Sequence, residues 1–287
     1  MNNLFQNFIQ NGSQKKKIGF IGYGSIGKML VTGFLSSGIA QKDLAISNRN
    51  SEKLKDFKLK YEQVEIFADN KSLADKCSMI FLCVKPLDVP NVLKEIKSSL
   101  DENTHIISVA ACVTLDNVES ALPSTKITKV IPSITSEVGE GISLICHNKY
   151  VTKEDAPRVE LLLGAISTVK IINENDFEAA ADLTSCAPGL IAAIFQEFVE
   201  AGLRHSSLSR QEAESMVVST LFGTSKLLME TGMSFDETIQ RVATKGGITE
   251  EGVKILRNGL PLTFNRVFEG TLAKHEIVKT IVRERFS

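Results

Sequence analysis

Excess charge of either sign is missing from this 287-residue chain. Its 33 Lys and Arg face 34 Asp and Glu, for a formal net charge of −1. Nothing electrostatic therefore draws it to nucleic acid. Long apolar runs are missing too. The compact ones, such as MIFLCV at 79–84, are strand-sized and far below the ~18 residues of a membrane span. Cysteine is sparse and unpatterned: Cys77, Cys83, Cys112, Cys146 and Cys186 are five in number with no C-x-x-C. An odd, scattered set excludes a disulfide framework and predicts reduced, buried thiols in a cytoplasmic setting. The four histidines are dispersed, so no metal cluster is visible and no metal site is expected. Short-period repeats and low-complexity tracts are absent. The segment MNNLFQNFIQNGSQKKK is polar, and its lysines follow the few apolar residues, the reverse of a signal peptide. Residues 1–15 are expected to be a flexible extension outside the fold.

What is present is a substantial apolar complement, 43% of residues, and a length that suits one large domain or two ordinary ones. KIGFIG (17–22), DLAISN (43–48), VEIFA (64–68), SMIFLCV (78–84), HIISVAA (105–111) and KITKVI (126–131) read as strands, and GISLICHN and TVKIIN extend the set. Amphipathic helices fill the gaps, one of them capped by Ser51. Alternating βα units predict a parallel, doubly wound sheet. After about residue 174 the strand signals stop and four or five helices follow. APGLIAAIFQEFVEAGL is apolar on most faces, which predicts a buried helix and a second copy of the chain covering part of this half. The expected fold is α/β: a Rossmann-type domain at 16–174 and an all-helical domain at 175–287.

Gly22-Tyr23-Gly24-Ser25-Ile26-Gly27 is G-x-G-x-x-G set between the first strand and the first helix. In that context it predicts a dinucleotide loop: Gly22 for the tight turn, Gly24 for close approach of a pyrophosphate, Gly27 for helix–strand packing. The helix N-terminus would face the phosphates. The second strand ends in Ser47-Asn48-Arg49, without the acid that binds the ribose hydroxyls of NAD. Arg49 can pair with a 2′-phosphate through its planar fork, which favours NADPH over NADH. In the helical half, Thr244-Lys245-Gly246-Gly247-Ile248-Thr249 interrupts the helical pattern. A Gly-Gly pair there predicts that a ligand comes close to bare backbone.

These motifs, with Asp69-Asn70, CVKP at 83–86, SVAACVT at 108–114, SCAPG at 185–189 and ATKGGITEEG, resemble pyrroline-5-carboxylate reductase over essentially the whole chain from about residue 16. VIPSIT and KGGIT place it nearest the divergent ComER-like, late-competence-operon branch. The resemblance implies a cytoplasmic NADPH-dependent oxidoreductase of proline biosynthesis, whose helical domain interlocks two subunits and which reduces 1-pyrroline-5-carboxylate to L-proline. It implies that Ile21, Gly22, Tyr23, Gly24, Ser25, Ile26, Gly27, Ser47, Asn48, Arg49 and Asn70 hold the cofactor's phosphates and adenosine end. Cys83, Val84, Lys85 and Pro86, with Val109, Ala110 and Ala111, would follow it towards the nicotinamide. Thr244, Gly246, Gly247 and Ile248 would hold the substrate carboxylate, Glu230 would lie on the substrate side, and Thr249 would act near the ring nitrogen. Its partners would be a small imine carboxylate and another copy of the chain, with no nucleic acid or membrane.

Such chemistry needs positioning, a small donor and an anion hole, so the lack of a His-Asp pair in the sequence is no objection. Lys226 and Lys245 are available for the lysine chemistry of β-hydroxyacid dehydrogenases, but that family's Gly-rich lysine motif is absent. The chain departs from the reductase pattern where Ile131-Pro132-Ser133-Ile134-Thr135 replaces MPNTP, SCAPG replaces GSGPA, and TKGGIT replaces SPGGTT. Glu250 and Glu251 read as favourable charges at a helix start; facing a pocket, they would repel a carboxylate. Two alternatives follow from these departures: a reductase-like NADP-binding protein with a regulatory role in competence or sporulation, and a reductase of another small imine.

Overall fold

The structure, a computed structural model, describes residues 17–286; the expected N-terminal extension lies outside them. Eight strands form one sheet: β1 (Lys17–Ile21), β2 (Leu44–Ser47), β3 (Glu65–Phe67), β4 (Cys77–Leu82), β5 (His105–Ser108), β6 (Lys126–Pro132), β7 (Gly141–His147) and β8 (Ser167–Ile171). Their spatial order is 3-2-1-4-5-6-7-8. The helices are α1 (Ser25–Ser36), α2 (Lys55–Lys60), α3 (Asn70–Ala74), α4 (Val89–Ile96), α5 (Leu115–Ala121), α6 (Ala156–Gly164), α7 (Phe177–Thr184), α8 (Ala187–Arg204), α9 (Arg210–Thr231), α10 (Phe235–Val242) and α11 (Ile248–Phe286).

Alternation along the strands builds two cores. Ile18, Phe20, Met79, Phe81, Ile107 and Val130 face one side, against Met29, Leu30 and Phe34 of α1 and Leu162 and Leu163 of α6. Ile21, Ile80, Leu82, Ile106 and Ile127 face the other, against Val92, Leu93 and Ile96 of α4. Strands covered on both faces read as continuous apolar runs, which is why MIFLCV shows no polar alternation. Phe20 and Phe81 stack at 5.0 Å, with Phe34 edge-on to Phe81 at 5.7 Å.

Two local expectations are corrected. The sheet is not wholly parallel: β7 runs antiparallel to β6. The link between them holds only a short turn, Ile134–Val138, closed by Gly139 at φ +79°. A parallel return needs a crossover of a dozen or more residues, so this link can only reverse the chain. The cap before Leu54 is Asn50, whose side-chain oxygen accepts from Glu52 N at 3.0 Å, one residue ahead of Ser51.

Packing divides the chain into two compact units. One holds the sheet and, among described residues, 17–186 and 272–286; the other holds 187–271. This boundary lies beyond the change from strand to helix at 174, and α11 contributes to both units. In the sheet unit, Val282 of α11 is fully buried, and Lys279 Nζ pairs with Glu178 at 3.0 Å. In the helical unit, Val199 and Ala213 are the only buried hydrophobic residues among those described. The helical stretch Glu174–Arg204 contains an 18-residue window that is, by length and composition only, apolar enough to cross a membrane. No unbroken apolar run marks it, because Asp182, Thr184-Ser185, Pro188-Gly189 and Gln196-Glu197 interrupt the apolar residues. Within the chain α8 is also not the buried helix expected: Ile191, Ile194 and Phe198 are exposed.

Candidate functional site

The chain builds β1, β2 and β3 outward and then crosses back to β4 on the other side of β1. Ligands of open α/β sheets bind outside the carboxyl ends of the strands at such a reversal. A cavity of about 350 Å³ opens there. Ile21, Gly22, Tyr23 and Gly24 line it after β1, and Ser47, Asn48 and Arg49 after β2. Asn70 of α3 and Val84 and Lys85 after β4 complete the set of sequence-predicted residues on its wall.

The three glycines of the loop have different neighbours. Gly22 has φ +101°, and a Cβ on it would stand 2.5 Å from the Cys83 carbonyl oxygen. A Cβ on Gly27 would stand 2.2 Å from the Gly22 carbonyl oxygen. A Cβ on Gly24 would meet nothing within 4 Å. Helix α1 begins immediately after, with no side-chain cap and no acid in its first turn. Its first N–H groups have no acceptor within the helix, which leaves a positive end for an anion. Helices α5, α9 and α10, by contrast, are each closed by a reciprocal side-chain box.

A polar web ties the wall together. Tyr23 N donates to Asn48 Oδ1 at 2.9 Å, and Asn48 Nδ2 to the Asn50 carbonyl at 2.6 Å. Ser47 Oγ donates to Asn70 Oδ1 at 2.9 Å, and Asn70 Nδ2 to Glu95 Oε2 at 2.5 Å. These side chains, neutral but for Glu95, thus tie together the ends of β1 and β2, α3 and α4. Arg49 and Lys53 also line the cavity, and among the described residues neither makes an ion pair. Tyr23 is buried, and its hydroxyl pKa is pushed up to about 12 by that burial and, secondarily, by Tyr61. Burial also pushes the Cys83 thiol up, so it stays protonated and serves as packing.

The remaining predicted residues of this unit are not on the cavity wall. Ser25, Ile26 and Gly27 form the first turn of α1, and Pro86 opens a short turn at 86–88. Val109 N donates to the Leu82 carbonyl at 3.2 Å, Ala110 is buried, and Ala111 is exposed. Sequence reasoning missed Lys53, Asp88, Asn91 and Glu95 on the wall. Lys53 was within reach, one turn beyond Arg49; the others sit on or before α4, where no motif marks them.

The structure also assembles a His-Asp pair that the sequence reading did not see. Cys112, at φ +63°, has its Sγ 3.4 Å from His275 Nδ1, and His275 Nε2 lies 3.7 Å from Asp182 Oδ1. Residues from three distant segments make it, so no spacing betrays it. Burial raises the Cys112 thiol, helped by the Glu178 charge, which argues against a standing thiolate. Cys77, Cys112 and Cys146 are buried and Cys83 half-buried, whereas Cys186 is exposed, against expectation. It sits at the turn between α7 and α8, where no core covers it.

In the helical unit, residues 243–247 link α10 to α11. Gly246 has φ +74°, and a Cβ on Gly247 would stand 2.8 Å from Thr244 Oγ1. Gly247 N donates to the Thr244 carbonyl at 2.9 Å, and Gly246 N to Glu250 Oε2 at 2.8 Å. Thr244, Lys245, Gly246, Ile248 and Thr249 are exposed. Glu250 also lies 3.7 Å from Lys254 Nζ, which Glu251 contacts at 2.8 Å. Glu230, at the end of α9, pairs with Lys226 at 3.6 Å.

Residues 17–112 match the family model described as NADP oxidoreductase coenzyme F420-dependent, and residues 174–277 that described as pyrroline-5-carboxylate reductase dimerisation. The chain is 41% identical to pyrroline-5-carboxylate reductase 3 of Bacillus subtilis (strain 168), over 92% of this chain and 97% of that one. It is 32% identical to ComE operon protein 4 of the same organism, over 94% and 99%. A solved pyrroline-5-carboxylate reductase from Coxiella burnetii matches with a TM-score of 0.81 at 27% identity, covering 95% of this chain and 99% of that one. The chain belongs to the pyrroline-5-carboxylate reductase family.

Proposed function

We propose that the protein reduces the cyclic imine 1-pyrroline-5-carboxylate to L-proline with NADPH. The observation that carries this reading is the occurrence, in one family member, of two features: an anion-ready Gly22–Gly27 loop and a Gly246-Gly247 turn at the exposed start of α11.

The residues present fit a phosphorylated dinucleotide. Gly24 leaves open space where a phosphate would approach. The start of α1 is uncapped, and Arg49 and Lys53 line a cavity that has no acid at the end of β2. In this reading Ile21 to Gly27 and Asn70 hold the pyrophosphate and adenosine end, with Ser47 and Asn48 shaping the wall and Arg49 meeting the 2′-phosphate. Cys83 to Pro86 and Val109 to Ala111 guide the cofactor onward. The bound cofactor supplies the hydride. The chain's own part is to bind, orient and polarise. Thr244, Gly246, Gly247 and Ile248 seat the substrate carboxylate, Glu230 lies on the substrate side, and the Thr249 hydroxyl hydrogen-bonds the ring nitrogen. Hydride adds to the carbon of an imine whose nitrogen is already protonated, and that proton stays on the product amine, so a hydrogen-bonding hydroxyl to position the ring and an anion seat suffice. A second copy of the chain covers the exposed apolar faces of 187–271, which gives a cytoplasmic homodimer.

The test is NADPH oxidation with pyrroline-5-carboxylate. Wild type should turn over, and Thr249→Ala should lose roughly ten- to a hundredfold in kcat/KM, about the worth of one well-placed hydrogen bond. Arg49→Ala should weaken NADPH roughly tenfold or more while changing NADH little. No turnover by folded, NADPH-binding protein would leave the regulatory reading suggested by the likeness to ComE operon protein 4, or a different small imine. Equal losses for NADPH and NADH would remove the 2′-phosphate role.

A further inference from the structure

The Gly246 N–H is not open. It donates to the carboxylate of Glu250 at 2.8 Å, so the loop that would seat a substrate's carboxylate already holds one from its own chain. Gly247 N is committed to the Thr244 carbonyl, which leaves the first-turn N–H groups of Ile248 and Thr249 without a helical acceptor. A second carboxylate arriving there meets the Glu250 charge at once. Glu250 has somewhere to go: Lys254 Nζ, one turn along α11, is 3.7 Å from the same Oε2 atom.

We propose that Glu250 is an internal competitor for the substrate carboxylate, vacating Gly246 towards Lys254 when a carboxylate-bearing ring binds. The proposal rests on the reading of 244–249 as the carboxylate seat. It makes Glu250 a specificity element. A ligand must offer a carboxylate good enough to replace a tethered one, so uncharged cyclic imines gain nothing from the exchange and are disfavoured. Lys254 sets how readily the exchange occurs, since it neutralises the displaced side chain while also serving Glu251 at 2.8 Å.

The test uses the full chain with Glu250→Gln, whose amide oxygen still accepts from Gly246 N and keeps the helix start closed, and with Lys254→Met. Two readouts are paired: KM for pyrroline-5-carboxylate, and equilibrium binding of cyclopentanecarboxylate, a ring acid that cannot be reduced, in the presence of NADP. Glu250→Gln should lower both KM and the Kd of the ring acid by roughly three- to tenfold, the size of one part-exposed charge-assisted contact. Lys254→Met should raise both, and KM for NADPH should move in neither variant. Tighter ring-acid binding in Glu250→Gln by an enzyme that never reduces pyrroline-5-carboxylate would sink the proposed reaction and uphold the competitor. Unchanged or weaker binding in Glu250→Gln, or no ring-acid binding by either form, would overturn the proposal and leave Glu250 as a plain helix cap.

Discussion

Gly24 and Gly27 stand three residues apart in one loop and have different neighbours. Alanine at Gly27 drives a methyl into the Gly22 carbonyl, 2.2 Å away, and either the strand end or α1 must shift. Overpacking of that kind costs about 1–3 kcal/mol, so Gly27→Ala should lower the urea midpoint. Alanine at Gly24 meets no protein atom within 4 Å, and the backbone there, at φ −84°, suits any residue. Gly24→Ala should leave stability within about 0.5 kcal/mol and weaken NADPH about tenfold, because the methyl stands where the pyrophosphate approaches. Equal loss of stability in both variants would mean that Gly24 serves packing. The G-x-G-x-x-G spacing and its strand–helix context were enough to find this loop in the sequence. The Tyr23–Asn48 and Ser47–Asn70 hydrogen bonds were not legible, because each joins residues more than twenty positions apart.

Among the elements, β5, β6 and β7 carry a buried relay. His105 Nε2 lies 2.7 Å from Thr128 Oγ1, which lies 2.7 Å from His147 Nδ1; His147 Nε2 is 3.9 Å from Glu160. The hydroxyl has one hydrogen, so it donates to one ring and accepts from the other. Burial holds the His105 pKa down to about 3, with the Asp155 charge opposing, and lowers His147 as well. Between about 6.5 and about 3 the unfolded chain binds the proton that folded His105 refuses. Stability therefore rises with pH across that window, is fully present above it, and is lost as pH falls through it. Urea unfolding should show a loss of up to about 2 kcal/mol from this group between pH 7 and pH 5. Against the opposing effect of burial, hydrogen bonds from Lys126 and Thr152 hold the Asp155 carboxyl below the ordinary carboxylate value, so it too contributes stability that is lost as the pH falls. A His105 ring that NMR shows charged at pH 5 in the folded protein would refute this. All eight strands were legible as apolar runs. The reversal between β6 and β7 was not, although the shortness of the 133–140 link holds the information.

At the scale of the molecule, the two halves bury apolar residues very unequally. The helical unit leaves Phe198, Phe222, Met229 and Ile255 more than half exposed, and among its described hydrophobic residues buries only Val199 and Ala213. Helices bury an apolar stripe against something, and a second copy of the chain is the cover expected for these side chains. Light scattering should give a mass of at least two chains, against 31.4 kDa for one; a one-chain mass would contradict the second-copy reading. The sequence foretold the apolar character of 187–204. It could not tell burial within the chain from burial against another, because both require the same pattern.

The return of α11 to the sheet carries a consequence for how the protein is made. The sheet unit takes 17–186 and then 272–286, with the whole helical unit threaded between. Val282, fully buried in the second core that also holds Ile80 and Ile127, is synthesised long after the strands of that core. During translation, which runs at about 5–20 residues per second, the nucleotide-binding half leaves the ribosome several seconds before its last piece and waits with that part of its core open. Cutting the chain at the strand-to-helix boundary would leave the same gap permanently, so this sheet is best dissected by joining 272–286 back to it.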